Sequence, residues 1–245
     1  MKLYVFILTS LTLIIGACTK MSYEEKNNDR FQLVQWTGQN SLHLKKGDID
    51  IWVDPFNLPT NLTQKVDYIF ITHDHSDHFV AEAINQVANV EQTVIYCPSS
   101  IIEKVREAYN GKVVEFDPGM HITLGENLIT AVPAYNIVKA DKHPKEKNYI
   151  GIVMSNASES IYITGDTERI PEMQELNVNK IYTPLGQTYT YNSLQEVADA
   201  IADVKAEIVI PVHYGMFEGT EADVEELKKI CKTAAIVVVP RTGQR

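Results

Sequence analysis

The chain has 245 residues, 44% of them hydrophobic and 22% charged, and its 32 acidic side chains outnumber 22 basic ones to leave a formal net charge of −10. Such a surface repels a phosphate backbone, which argues against a nucleic-acid groove and a polybasic membrane-binding face, while a small phosphorylated substrate held by metal stays compatible. The roughly 225 residues beyond residue 20 suffice for one large domain with a sizeable core or, less often, two small ones. At the start, Lys2 precedes an uncharged apolar run from Leu3 to Ala17, broken by Thr9, Ser10 and Thr12. A charged start before a short apolar run reads as a secretory signal over residues 1–17, because a spanning helix needs roughly 20 apolar residues. Lys20 to Arg30 is polar and aperiodic, so 18–30 reads as a tether and 31–245 as the folded domain.

The apolar run ends at Ile15-Gly16-Ala17-Cys18, small residues directly before a cysteine, and this resembles the lipobox of bacterial lipoproteins. The resemblance implies cleavage before Cys18, a lipid anchor on Cys18 and a place in the bacterial cell envelope. Thr19, where an aspartate would retain the chain, favours the outer membrane in a Gram-negative source. An ordinary signal peptide with an incidental cysteine is the alternative.

Beyond the tether, short β-rich runs alternate with helical patterns, and several strands are apolar almost throughout, the mark of sheets covered by helices. The fold class is therefore α/β or mixed. Phe31 to Trp36, Ser41 to Lys46 and Asp50 to Asp54 form an opening meander, with turn chemistry at Gly38-Gln39-Asn40 and Lys46-Gly47-Asp48. Asp67 to Thr72 is a buried strand that runs into a histidine-rich loop, and Phe79 to Ala88 has helical spacing. Thr93 to Tyr96 reads as a strand and Ser99 to Tyr109 as a helix that Ser99 or Ser100 can cap. Val113 to Phe116, Ile122 to Pro133, Tyr149 to Ser155 and Ile161 to Thr164 give further strands. A strand-loop-helix rhythm closes the chain: Lys180 to Pro184, Ser193 to Val204, Glu207 to Val212, Thr220 to Cys231 and Ala235 to Pro240. Ser193 with Glu196 and Thr220 with Asp223 have capping-box spacing. Cys97 and Cys231 read as two buried thiols, although an exported compartment would permit a disulfide.

The chemistry concentrates in Thr72-His73-Asp74-His75-Ser76-Asp77-His78, which holds three of the seven histidines. His73 and His75 stand two apart, so in an extended segment both imidazoles face one side and can share a metal. Asp77 and His78 follow where the loop turns into a helix and can hold a second ion beside the first. Zinc is the commonest occupant of such a mixture of imidazole and carboxylate, with manganese or iron as alternatives. A lone His-x-His would more often be a solvated or helix-capping pair.

The full spacing His-x-His-x-Asp-His resembles the signature of the metallo-β-lactamase superfamily. That resemblance implies a four-layer αββα sandwich, a two-zinc site and a hydrolase acting on a small-molecule substrate. It makes Asp54, in Trp52-Val53-Asp54-Pro55, a residue that orients the ligand loop; Asp166, in Thr164-Gly165-Asp166, the carboxylate between the two ions; and His213, in Pro211-Val212-His213-Tyr214-Gly215, a ligand of the second. Val132-Pro133-Ala134-Tyr135-Asn136, His143-Pro144-Lys145 and Ile181-Tyr182-Thr183-Pro184-Leu185-Gly186 look like the branch that includes the ascorbate-6-phosphate lactonase-like proteins. Many relatives carry a histidine at the place of Asn136. A neutral carboxamide is a poor zinc ligand, so His143 is expected to complete the first site. His43 and His121 lack motif context and read as surface or structural residues.

The resulting expectation is a metal set of His73, His75, Asp77, His78, His143, Asp166 and His213, with hydroxide as the nucleophile. Asp77 and Asp166 would position it, one of them would take its proton, and Tyr214 or Tyr189 would donate to the developing oxyanion. An ester, lactone or phosphodiester is the expected substrate. The chain lacks the short insertions that antibiotic-hydrolysing members use. Two rivals stand beside this reading. One is a metal-holding lipoprotein that binds without turnover, its first site degraded by Asn136. The other is a membrane phosphodiesterase or phospholipase, for which Lys139, Lys142, Lys145 and Lys147 supply positive charge.

Overall fold

A computed structural model describes residues 29–243. The expected signal, Cys18 and all of the tether except Asp29 and Arg30 lie outside the described residues. Among the described residues, no helix is long and apolar enough to cross a membrane.

Two sheets carry the fold. The first runs β1 (Gln32–Gly38), β2 (Ser41–Lys46), β3 (Ile49–Val53), β4 (Tyr68–Phe70), β5 (Val94–Cys97) and β6 (Lys112–Glu115), in sequence order. The second contains β7 (His121–Leu124), β8 (Asn127–Pro133), β9 (Ile150–Ser155), β10 (Ser160–Ile163), β11 (Lys180–Pro184), β12 (Ile208–Val212) and β13 (Ala235–Ile236), again in order. Each sheet opens as an antiparallel meander and becomes parallel at β3–β4 in the first and β10–β11 in the second. Helices α1 (Ala81–Val87) and α2 (Ile102–Ala108) pack on the first sheet. Helices α3 (Leu194–Asp203) and α4 (Glu221–Ile230) pack on the second, which makes a mixed α/β, four-layer αββα sandwich.

Strand alternation explains the layers. Ile51, Val53 and Phe70 face the core between the sheets, while Trp52, Ile69 and Ile71 turn outward onto α1 and α2. Thr220 caps α4 in a reciprocal box with Asp223, as its spacing predicts. Ser193 caps α3, but the Glu196 side chain turns to the amides of Asn192 and Arg169, so that box is half made.

Two expectations, the cap at Ser99 or Ser100 and the single strand from Ile122 to Pro133, need correction. Ser99 and Ser100 do not cap a helix: Ser99–Ile101 is a 3-10 turn, the Ser99 hydroxyl donates to Asp117 and that of Ser100 to the Lys147 carbonyl. Ile122 to Pro133 is a hairpin, turned at Gly125, whose φ of +58° suits glycine. His43 is buried, pairing with Asp50 and stacking on Trp52, whereas His121 is exposed. Cys97 and Cys231 are buried free thiols, and burial pushes Cys97 up to about 12.

Candidate metal centre

The site forms at the carboxyl ends of parallel strands from both sheets, where α/β folds collect their reactive groups. Asp54 follows β3, His73 to His78 follow β4, Asp166 follows β10 and His213 follows β12. The β1–β2 turn adds Gln39 and Asn40. Gln39, Asp54 and His213 have φ of 46°, 44° and 53°, in the left-handed region. Strain on the order of 1–3 kcal/mol for each such residue is carried where side chains must point at one another.

Asp54 sets the ligand loop. Its Oδ1 accepts the Thr72 amide at 2.7 Å; its Oδ2 accepts the Thr72 hydroxyl at 2.6 Å and the Asn40 amide at 2.8 Å, and lies 2.9 Å from His78 Nδ1. With both oxygens engaged, Asp54 is an orienting group.

The predicted ligand residues gather into two adjoining groups. His73, His75, His143 and Asp166 present ligand atoms within 4.8 Å of one another, and so do Asp77, His78 and His213. Asp166 stands between them: its Oδ2 is 3.2 Å from His213 Nε2 and 4.0 Å from His73 Nε2, and its Oδ1 is 3.5 Å from His78 Nε2. Asp77 Oδ2 lies 3.8 Å from His78 Nε2 and 3.7 Å from His213 Nε2.

His143 and Asn136 separate clearly. The His143 ring stands 4.4 Å from that of His73 and 4.8 Å from that of His75. Asn136 faces away, its carboxamide donating to the Tyr189 carbonyl at 2.7 Å and its backbone amide to the His143 carbonyl at 2.9 Å. Glu168 shapes the same loop by accepting the amides of Ile137, Val138 and Lys139. Both His143 ring nitrogens, His73 Nε2 and Asp166 Oδ1 are buried without hydrogen-bond partners. Buried polar atoms cost free energy when unpaired, so this donor set fits a divalent cation that would engage them.

Electrostatics divides the groups. Burial, with His78 and His143 as neighbours, holds His73 well below the usual imidazole range, and burial takes His143 down to about 3. Both keep neutral lone pairs, the form in which imidazole binds metal. Burial would lower His213 as well, but Asp166 and Glu218 outweigh it and hold its imidazole well above the ordinary value. For Asp166 burial would raise the carboxyl, and His213 and His78 overturn that and hold it well below the carboxylate range.

A cleft of about 530 Å³ opens over the cluster, with buried Asp166 and His213 on its inner wall and exposed Tyr189 and Phe217 on its outer wall. Tyr214 is not among its lining residues, a correction to the expected oxyanion donor: its ring packs on Trp36 at 5.2 Å, and it lines a separate cavity with Glu221 and Arg241.

Two residues at the site carried no sequence signal of their role. Gln39 Nε2 lies 2.7 Å from Asp77 Oδ2 and 2.8 Å from His213 Nε2, although Gly38-Gln39-Asn40 announced only a turn. Glu218 Oε1 lies 3.1 Å from His213 Nδ1, and no motif frames it.

The sequence signature of the beta-lactamase superfamily domain matches residues 33–213. A UPF0173 metal-dependent hydrolase of Archaeoglobus fulgidus is 27% identical over 230 residues, covering 86% of this chain and 96% of its own. Another of that name, from Christiangramia forsetii, is 29% identical over 215 residues, covering 80% of this chain and 90% of its own. A crystal structure of a Parabacteroides distasonis protein superposes with a TM-score of 0.72 at 27% identity, covering 85% of this chain and 97% of that one.

Proposed function

The chain belongs to the beta-lactamase superfamily, and from that premise we propose that it is a metal-dependent hydrolase with a dinuclear centre, acting on an ester, lactone or phosphodiester. The observation that carries this reading is the position of buried Asp166 between two histidine groups, in the first of which His73 Nε2 and both His143 nitrogens are buried without a hydrogen-bond partner. His73, His75 and His143 would hold one cation and Asp77, His78 and His213 the other, with Asp166 between them; zinc is the first choice and manganese or iron suit the same donors. Cations held there supply Lewis acidity and bring a water's pKa toward neutrality.

The protein's own groups then divide the work. Asp54 and Glu168 hold the two ligand-bearing loops in place through hydrogen bonds. Asp77, half-buried on the cleft wall, and Asp166, fixed between the histidines, are the bases placed to take the proton of an attacking water. Tyr189, on the outer wall, is the hydroxyl available to a developing oxyanion. Turnover of model lactones, carboxylic esters and phosphodiesters, before and after chelation, tests this. Hydrolysis of one class that chelation abolishes and added zinc or manganese restores is expected; hydrolysis indifferent to chelator would sink the reading.

The branch resemblance to ascorbate-6-phosphate lactonase-like proteins puts lactones first on that panel. The same proposal anchors the domain, residues 31–245, in the bacterial cell envelope by a lipid on Cys18 through the tether 18–30; the apolar run ending at Cys18 supports it.

A further inference from the structure

Glu218 sits in the turn after β12 and buries its carboxylate against another loop. Its Oε2 accepts the amides of Thr188 and Tyr189 at 2.8 and 2.9 Å, while its Oε1 faces His213 Nδ1 at 3.1 Å. Gly186 makes room for it, because a Cβ there would land on the Glu218 carboxylate. The Thr190 hydroxyl donates to the Gly186 carbonyl at 2.8 Å, so residues 186–190 form a closed loop with one carboxylate at its centre. That loop carries Tyr189, a wall of the cleft. Its Tyr189 carbonyl accepts Asn136, whose backbone amide donates in turn to His143. Consecutive contacts thus run from His213 through Glu218, Tyr189 and Asn136 to His143, from one histidine group to the other across the cleft wall.

We infer that Glu218 is a positioning residue that couples cation uptake at His213 to the order of the 186–190 loop, and through Asn136 to the loop of His143. A carboxylate charge 3.1 Å from Nδ1 holds the ring by ion pairing and leaves Nε2 toward Asp77 and Asp166, a placement of the kind that tunes metal-bound histidines. The second carboxylate oxygen makes the cleft wall feel that ring's position. The inference rests on the proposed metal centre, and its test separates the two. Zinc alone is titrated into the wild type and the Glu218→Gln and Glu218→Ala variants, with amide hydrogen exchange at Thr188 and Tyr189 followed alongside. Zinc is expected to slow exchange of both amides in the wild type. Glu218→Gln keeps an acceptor for them but removes the charge facing His213, and it is expected to bind zinc roughly 10- to 100-fold more weakly. Glu218→Ala is expected also to lose the zinc-dependent protection. Wild-type protein that binds zinc while the two amides exchange at an unchanged rate, or a Glu218→Gln variant of wild-type affinity, would overturn the coupling. Wild-type protein that binds no zinc would overturn the metal centre itself.

Discussion

His143 and Asn136 lie on one loop with different surroundings: one imidazole buried in the histidine cluster with both nitrogens unpaired, one carboxamide whose NH2 donates to the Tyr189 carbonyl while its oxygen is buried without a partner. His143→Ala is therefore expected to cost one of two bound cations, and Asn136→Ala to keep both; metal analysis of the two variants decides it. The raised pKa of His213 gives a second expectation. Asp166 and Glu218 raise that ring well above the ordinary imidazole value and favour its protonated form, so zinc uptake should release protons and weaken as pH falls. Zinc calorimetry in buffers of different ionisation enthalpy reads the released proton, and a buffer-independent heat would contradict it. The residues of the cluster were legible in the sequence because a candidate metal site concentrates rare residue types at fixed spacing, as in His73 to His78. Gln39 and Glu218 were not legible: each is common as a turn or surface residue, and only the folded chain brings them to His213. Tyr214 shows the converse, since adjacency to His213 in sequence said nothing of the direction its ring takes once the backbone turns left-handed at His213.

Elements whose periodicity matched their burial were readable from the sequence, and β2 and β11 have the expected bounds, Ser41–Lys46 and Lys180–Pro184. The hairpin of β7 and β8 was hidden because both arms supply apolar side chains and its turn rests on Gly125 alone. Helix starts were half legible. Hydroxyl spacing identified Thr220 and Ser193, yet the same residue type at Ser99 serves Asp117, since a 3-10 turn opens α2. Thr220→Ala removes the hydroxyl arm of a reciprocal cap while its backbone amide can still donate to Asp223, and it should cost about 1 kcal/mol, a fall of roughly 2–4 °C in Tm by thermal melt. An unchanged Tm would show that the α4 cap contributes nothing.

At the scale of the molecule, both sheets repeat one plan, an antiparallel meander that turns parallel, and the histidine cluster occupies the seam where their strand ends meet. This plan came from the motif resemblance and not from any repeat in the sequence, since pairing of strands distant in the chain leaves no local signal. The proposed anchor belongs to this scale as well: Cys18→Ala should move the protein from the detergent to the aqueous phase on phase separation, and an unaltered partition would remove the lipid from the account. The central claim is a dinuclear centre, and elemental analysis of metal per chain, before and after chelation and with turnover followed on the same samples, tests it most directly. Two divalent cations per chain, lost together with hydrolysis, is the result expected from Asp166 standing between two histidine groups; one cation or none after reconstitution, with hydrolysis unaffected, would contradict it.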